Sequence, residues 1–301
     1  MSPKPTKIEY FEEINLLLGM EVYIASELDQ VTHSFKFRAA WSVVSNIPAE
    51  GFIAASSGNF GQALACACQR LNRDCKIVMP TTSARVKIDA VRSYGAEVIF
   101  VNTAEQSRAE KVKEVAREYP TYHIASAYDC EHVIAGNSSL GTEIANREEI
   151  FDLIIAPVGG GGLSAGIIQG LREQGDETPV WGAEPLMADD LYWSLQARKL
   201  LKHDIEPQTL ADGARTLSVG RKNWAILKEH LSGVICVTEE SIQKAMQLYW
   251  KHGLRVEPTG ALTLGALLQV DDWKGKRILA VISGGNVDQE LFDALISNNQ
   301  H

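Results

Sequence analysis

Short runs rich in valine and isoleucine alternate with amphipathic stretches, and this alternation constrains the fold more than any other feature of the chain. The strand-like runs are Phe52–Ser56, Lys76–Met79, Glu97–Val101, Phe151–Val158, Val180–Glu184, Val234–Thr238 and Arg277–Ile282. Helix-like segments lie between them: Gln62–Leu71, Ala84–Tyr94, Glu105–Glu118, Leu163–Glu173, Glu240–His252 and Thr259–Leu268. Strands without a polar side need cover on both faces, which the crossover helices of a parallel sheet supply. The pattern therefore predicts an α/β architecture. Similar strand-helix units before and after about residue 130 allow two sheets with a cleft between them, and such clefts are common ligand sites. No low-complexity linker and no repeat of solenoid period divides the chain.

With 301 residues, 45% of them hydrophobic, the chain can bury one large core or two modest ones. The net charge of -9 arises from acids mixed with bases along the whole length. No basic stripe is available for phosphates, which argues against a nucleic-acid partner. The five cysteines, Cys66, Cys68, Cys75, Cys130 and Cys236, are odd in number and form no C-x-x-C pair. They are expected to be reduced thiols of a cytosolic protein. The opening residues lack the apolar core of a signal peptide, and no run approaches the roughly 18 apolar residues of a membrane span. A cytoplasmic location is expected.

Four segments have unusual local composition. In Ser34-Phe35-Lys36-Phe37-Arg38 a lysine sits between aromatics. A lysine near apolar rings loses hydration, its pKa falls, and the neutral amine can form a Schiff base with an aldehyde. Taken alone, the segment is better read as a snorkelling surface lysine. Ser56-Ser57-Gly58-Asn59-Phe60-Gly61-Gln62 follows a strand and opens a helix. Its small residues permit close approach of a ligand to free helix N–H groups, although a capped strand-to-helix turn would look the same.

Gly159-Gly160-Gly161-Gly162-Leu163 separates a strand from a helix. Four consecutive glycines exceed what a tight turn needs, and backbone N–H groups cradling a phosphate at a helix start give them a reason. The run has neither the lysine of a P-loop nor dinucleotide spacing. Ser283-Gly284-Gly285-Asn286 ends the last strand and can aim a hydroxyl into a cleft or simply turn the chain.

In order, Ser-Phe-Lys-x-Arg, Ser-Ser-Gly-Asn-x-Gly-Gln, Gly-Gly-Gly-Gly-Leu and Ser-Gly-Gly-Asn resemble the fold type II pyridoxal-phosphate enzymes, specifically the serine racemase and serine/threonine dehydratase group. The resemblance runs from about Glu21 to about Asp288 and takes in Glu27, Gln30, Met79-Pro80, Tyr94-Gly95-Ala96, Ala211-Asp212-Gly213 and Glu257-Pro258-Thr259-Gly260. It implies a tryptophan synthase β-like fold of two open twisted α/β domains with the active site in the cleft. Residues 1–45 and 130–301 would form the large cofactor-binding domain and 46–129 a small mobile substrate domain. A homodimer is expected from the family alone.

The resemblance also implies roles. Lys36 would hold pyridoxal 5'-phosphate and act as the base at the substrate Cα. Gly159, Gly160, Gly161, Gly162 and Leu163 would bind the phosphate, Asn59 the 3'-oxygen, Phe35 the ring face and Ser283 the pyridine nitrogen. Ser57, Gly58 and Asn59 would clamp the substrate carboxylate. A neutral serine at the ring nitrogen makes the ring a weaker electron sink than an aspartate would, which favours β-elimination or fast reprotonation over transamination. Elimination of water from a hydroxy-amino acid, giving a 2-oxo acid and ammonia, is the leading expectation.

Ser57 stands where the racemases place a second base, so an amino-acid racemase using Lys36 and Ser57 is the alternative. Glu184-Pro185-Leu186-Met187-Ala188-Asp189-Asp190 resembles the divalent-cation loop of serine racemases. By that match the Glu184 and Asp190 carboxylates and the Ala188 carbonyl would hold Mg²⁺ or Ca²⁺.

The chain departs from the family pattern at Ala25, His33, Ala39, Phe60 and Asn137-Ser138-Ser139. These departures motivate a third reading, a cofactor-binding protein without catalysis. No C-terminal extension is seen that would house a regulatory domain, so feedback by isoleucine is not expected.

Overall fold

The structure is a computed structural model that describes residues 2–297. The elements run β1 (Lys7–Tyr10), α1 (Glu12–Leu18), β2 (Glu21–Ser26), α2 (Lys36–Asn46), β3 (Gly51–Ala55), α3 (Asn59–Arg70), β4 (Asp74–Pro80), α4 (Arg85–Arg92), β5 (Glu97–Val101), α5 (Arg108–Glu118), β6 (Tyr122–Ile124) and α6 (Glu131–Ala145). They continue with β7 (Leu153–Pro157), α7 (Gly162–Glu173), β8 (Val180–Pro185), α8 (Asp190–Ala197), α9 (Arg221–His230), β9 (Leu231–Val237), α10 (Glu239–Lys251), α11 (Pro258–Leu267), β10 (Arg277–Ile282) and α12 (Gln289–Ser297). Single 3-10 turns occupy Leu186–Ala188 and Asp212–Ala214.

Two sheets form. The larger has six strands in the order β1-β2-β10-β7-β8-β9, the smaller four in the order β5-β4-β3-β6. Every pairing is parallel except β1 with β2. β7 and β10 lie in the middle of the larger sheet and are buried almost throughout. One face of that sheet packs against α10 and α11, through residues such as Ile242, Tyr249 and Leu262. The other packs against α6, α7 and α9 through Leu140, Ile167 and Leu227. The smaller sheet is covered by α2 and α3 on one side and by α5 on the other. The α/β expectation is met, with both sheet faces covered as the apolar strands require.

Local signals explain several boundaries. Ser107 and Glu110 form a reciprocal capping box at the start of α5, and Thr238 accepts from the Ser241 amide at the start of α10. Pro258 opens α11, whose ten residues are all buried. Three strands, β1, β2 and β6, and six helices, α1, α2, α6, α8, α9 and α12, lie outside the segments read from the sequence. No helix among the described residues is long and apolar enough to cross a membrane.

Candidate active site

Parallel strands present their carboxyl ends on one side, and the four segments singled out by composition sit beyond the ends of β2, β3, β7 and β10. The chain leaving β2 is stitched to the chain leaving β10. Ser34 bridges Gly284, and the Phe35 amide donates to the Ser283 carbonyl at 2.9 Å. That turn delivers Lys36 as the first residue of α2. Its Nζ donates to the Ala127 carbonyl at 2.8 Å and stands 4.9 Å from the centre of the Phe35 ring. Loss of hydration lowers its pKa to about 8, with the Glu257 charge working against the shift. The positive end of the α2 dipole also disfavours an ammonium there. An amine that gives up its proton this readily is a usable nucleophile and base.

Asn59 opens α3, and its side-chain amide is held from both ends. Nδ2 donates to both oxygens of Glu257, at 2.8 and 3.0 Å, while Oδ1 accepts from Asn286 Nδ2 at 2.9 Å. Ser56 accepts from the amide of Gly61 at 3.0 Å and so caps the same helix. Ser57 and Gly58 line the turn between them, half-buried and exposed respectively. The Ser57 hydroxyl has no hydrogen-bond partner among the described residues, so its lone pairs and proton are free for a ligand.

The four glycines are required by packing as well as by any ligand. A Cβ on Gly160 would lie 2.2 Å from Cγ of Tyr128, and one on Gly159 2.8 Å from Cα of Ala214. Gly161 has φ +82°, a conformation L side chains rarely adopt. The carbonyl of Gly160 accepts from Asn223 Nδ2 at 2.6 Å and from the Gly220 amide at 3.0 Å, and that of Gly162 from Asn137 Nδ2 at 3.0 Å. With the carbonyls tied back, the loop amides and the first turn of α7, which includes Leu163, are left to face an anion.

Ser283 is 1% exposed and its hydroxyl has no partner among the described residues. A buried hydroxyl without a partner is unfavourable, and a ligand heteroatom at this strand end would satisfy it.

Glu184 ends β8 almost fully buried, and its two oxygens accept the amides of Tyr192 and Leu191 at 2.7 and 3.3 Å. Asp190 accepts the Val219 amide at 2.8 Å. Burial pushes both carboxyls up, Asp190 to about 6, and the charge of Asp190 further raises Glu184. Ala188 is buried in the 3-10 turn between them. No group of three or more His, Cys, Asp or Glu arranged for a metal ion is present among the described residues.

The departures from the family pattern take ordinary structural places. Phe60 belongs to the core of the smaller sheet. His33 is exposed, with φ +54° and its Nδ1 3.0 Å from the Leu28 carbonyl. Ala25 is fully buried in β2. Ala39 is accommodated because its neighbour across the α2–α6 contact is Gly136, where a Cβ would lie 2.4 Å from the Arg38 carbonyl. Asn137 secures the glycine loop, Ser139 accepts from Arg38 at 2.8 Å, and Ser138 bonds the Ala135 carbonyl. Sequence reasoning missed Asn223 and Tyr128, which carry no motif, and gave Glu257 no role.

Taken together, the strand ends carry a desolvated lysine, a glycine turn at a helix start and a buried unpaired hydroxyl. These define an α/β enzyme that holds a phosphorylated aldehyde cofactor. The chain belongs to the family described as pyridoxal-phosphate dependent enzyme, which it matches over residues 1–284. It is 38% identical over 293 residues to the serine racemase of Dictyostelium discoideum, covering 94% of this chain and 90% of that one. Over 293 residues it is 33% identical to L-threo-3-hydroxyaspartate ammonia-lyase of Saccharomyces cerevisiae, covering 95% and 89%. Among solved structures, threonine deaminase isoform 2 from Solanum lycopersicum matches with TM-score 0.90 and 30% identity, covering 99% of this chain and 89% of that one.

The residues present fit pyridoxal phosphate. Lys36 suits its aldehyde, the glycine cradle its phosphate, and the unpartnered Ser283 hydroxyl its ring nitrogen.

Proposed function

We propose that this chain eliminates water from a small hydroxy-amino acid, giving a 2-oxo acid and ammonia. The observation that carries the reading is Lys36, a desolvated lysine at the start of α2 whose pKa falls to about 8 and whose Nζ donates to the Ala127 carbonyl. When bound, pyridoxal phosphate withdraws electrons from the substrate Cα and makes its C–H acidic. Lys36 then serves as the base that takes the Cα proton. Gly159, Gly160, Gly161, Gly162 and Leu163 hold the phosphate by backbone N–H groups. Ser283 satisfies the ring nitrogen without fixing a proton on it, and Phe35 packs against the ring. Ser57, Gly58 and Asn59 receive the substrate carboxylate at the start of α3.

Racemisation is the second reading, and the free Ser57 hydroxyl favours it, because inversion needs a base on each face. The identity to a serine racemase supports it, as the identity to a hydroxyaspartate ammonia-lyase supports elimination.

Residues 46–129 act in this reading as a mobile unit that closes on the substrate. Lys87 of α4 meets Asp212, beside the glycine loop, at 2.8 Å across the cleft and supplies a closing contact. Glu184, Asp190 and the Ala188 carbonyl would bind Mg²⁺ or Ca²⁺ as a structural or regulatory ion. Chelation that leaves activity and melting temperature unchanged would remove that part. A cytoplasmic homodimer completes the reading, with sedimentation as its check.

The deciding experiment pairs an absorbance spectrum of the purified protein with assays for 2-oxo acid and D-enantiomer over a panel of hydroxy-amino acids. A cofactor band with 2-oxo acid from one member establishes the lyase, and D-product in excess establishes the racemase. A band without either product supports the non-catalytic alternative, and no band refutes the cofactor assignment.

A further inference from the structure

One buried carboxyl has no part in the chemistry above. Glu257 caps α11, is 2% exposed and forms no salt bridge among the described residues. A buried carboxyl without a cation is unfavourable unless something holds it there. Its only side-chain partner among the described residues is Asn59, which meets both of its oxygens. Space for the carboxyl is made by Gly284, where a Cβ would lie 2.7 Å from Glu257 Oε1. The Glu257 amide in turn donates to the Gly284 carbonyl at 3.2 Å. The second residue of the Ser-Gly-Gly-Asn turn is thus a glycine because a carboxyl occupies the place of its side chain.

The orientation of the Asn59 amide follows from its partners. A backbone carbonyl can only accept, so the Thr32 carbonyl, 2.8 Å from Asn286 Nδ2, fixes which end of Asn286 is the donor. Asn286 therefore presents N–H to Asn59 and takes its Oδ1. The Asn59 amino group is left pointing the other way, and Glu257 is the acceptor that receives it. Lys36 from α2, Asp212 from the 3-10 turn and Lys87 from α4 are the charged groups that act on Glu257. Burial, with a contribution from Asp212, pushes its carboxyl up to about 8, while Lys36 sits near the same value.

We propose that Glu257 is a positioning residue for the cofactor: its carboxyl aims the Asn59 amino group into the cleft. The proposal rests on the cofactor assignment above. As an acceptor Glu257 keeps Asn59 from turning its carbonyl toward the electron-rich 3'-oxygen.

The test compares the cofactor-loaded parent with Glu257→Gln and Glu257→Asp, reading the dissociation constant for pyridoxal phosphate and the position of its absorption band. Glu257→Gln replaces one of the two oxygens that meet Asn59 by an amide donor. It is expected to weaken binding roughly tenfold, as for the loss of one hydrogen bond, and to shift the band. Glu257→Asp keeps both oxygens but shortens the reach, so affinity falls less than in Glu257→Gln. Parent-like affinity and band position in Glu257→Gln overturn the proposal. So does a failure of both variants to fold, since Glu257 would then be a folding element. A parent without any band defeats the cofactor assignment itself, an outcome the variants cannot mimic.

Discussion

Arg38 donates to the carboxylate of Glu27 from Nε at 2.8 Å and from Nη2 at 3.1 Å, which ties the helix carrying Lys36 to the residue that follows β2. Both side chains are essentially inaccessible, at 1% and 0% exposure. The same guanidinium reaches Glu143 of α6 at 2.7 Å, Thr6 Oγ1 at 2.7 Å and the Lys4 carbonyl at 3.0 Å. Removing one partner of such a pair leaves an uncompensated buried charge. Arg38→Met is expected to lose about 3–5 kcal/mol of stability, with cofactor affinity falling as α2 loosens. Denaturant unfolding measures the first effect, and a change below about 1 kcal/mol would refute the pinning role.

Lys36→Ala removes the amine and should abolish both the cofactor band and turnover. Lys36→Arg should do the same, because a guanidinium stays charged and cannot act as base or nucleophile. Retention of the band in either variant would show that another residue holds the cofactor.

Replacing Ser57 with alanine separates the two chemistries. D-product should vanish while oxo-acid formation from the L-substrate persists. Equal loss of both activities would rule out a base on the second face.

Gly161→Ala places a side chain at φ +82° and within 2.8 Å of Leu227 Cδ1. Strain of roughly 1–2 kcal/mol from the left-handed backbone alone is expected, and the loop can relieve it only by moving its amides. Titration with inorganic phosphate, followed by thermal shift, should show the anion site weakened, whereas the exposed Gly175→Ala changes stability and leaves phosphate affinity intact.

Stability of the cofactor-free protein should depend on pH in two windows. Glu257 ionises near 4.5 when solvated and near 8 in the fold. Between these values the native state keeps a proton that the unfolded chain releases, so stability falls as pH rises. Lys36 moves down from 10.5 to about 8. Between those values the unfolded chain keeps the extra proton, so stability rises with pH. Each slope is at most about 1.4 kcal/mol per pH unit. Glu257→Gln should shrink the falling limb, to which the raised Glu184 and Asp190 carboxyls also contribute, and leave the rising one, as read by chemical denaturation at stepped pH.

Local patterns in the chain encode several of its elements directly. Glu97–Val101 and Arg277–Ile282 are strands with the bounds their apolar runs predict, and the tetraglycine turn stands between a strand and a helix as composition requires. Tertiary structure decided the rest. α6 carries glycines and serines that oppose a helix in isolation, yet they permit close packing: a Cβ on Gly141 would lie 2.2 Å from the Ile167 carbonyl of α7. Glu21–Ser26 becomes a strand because β1 and β10 pair with it on either side. Glu-Pro-Thr-Gly reads locally as nothing more than a helix start. Only the folded chain sets Glu257 against Asn59, 198 residues away, in a place dry enough to change its ionisation. Desolvation and the aim of an amide depend on groups distant in sequence, and no local pattern carries that information.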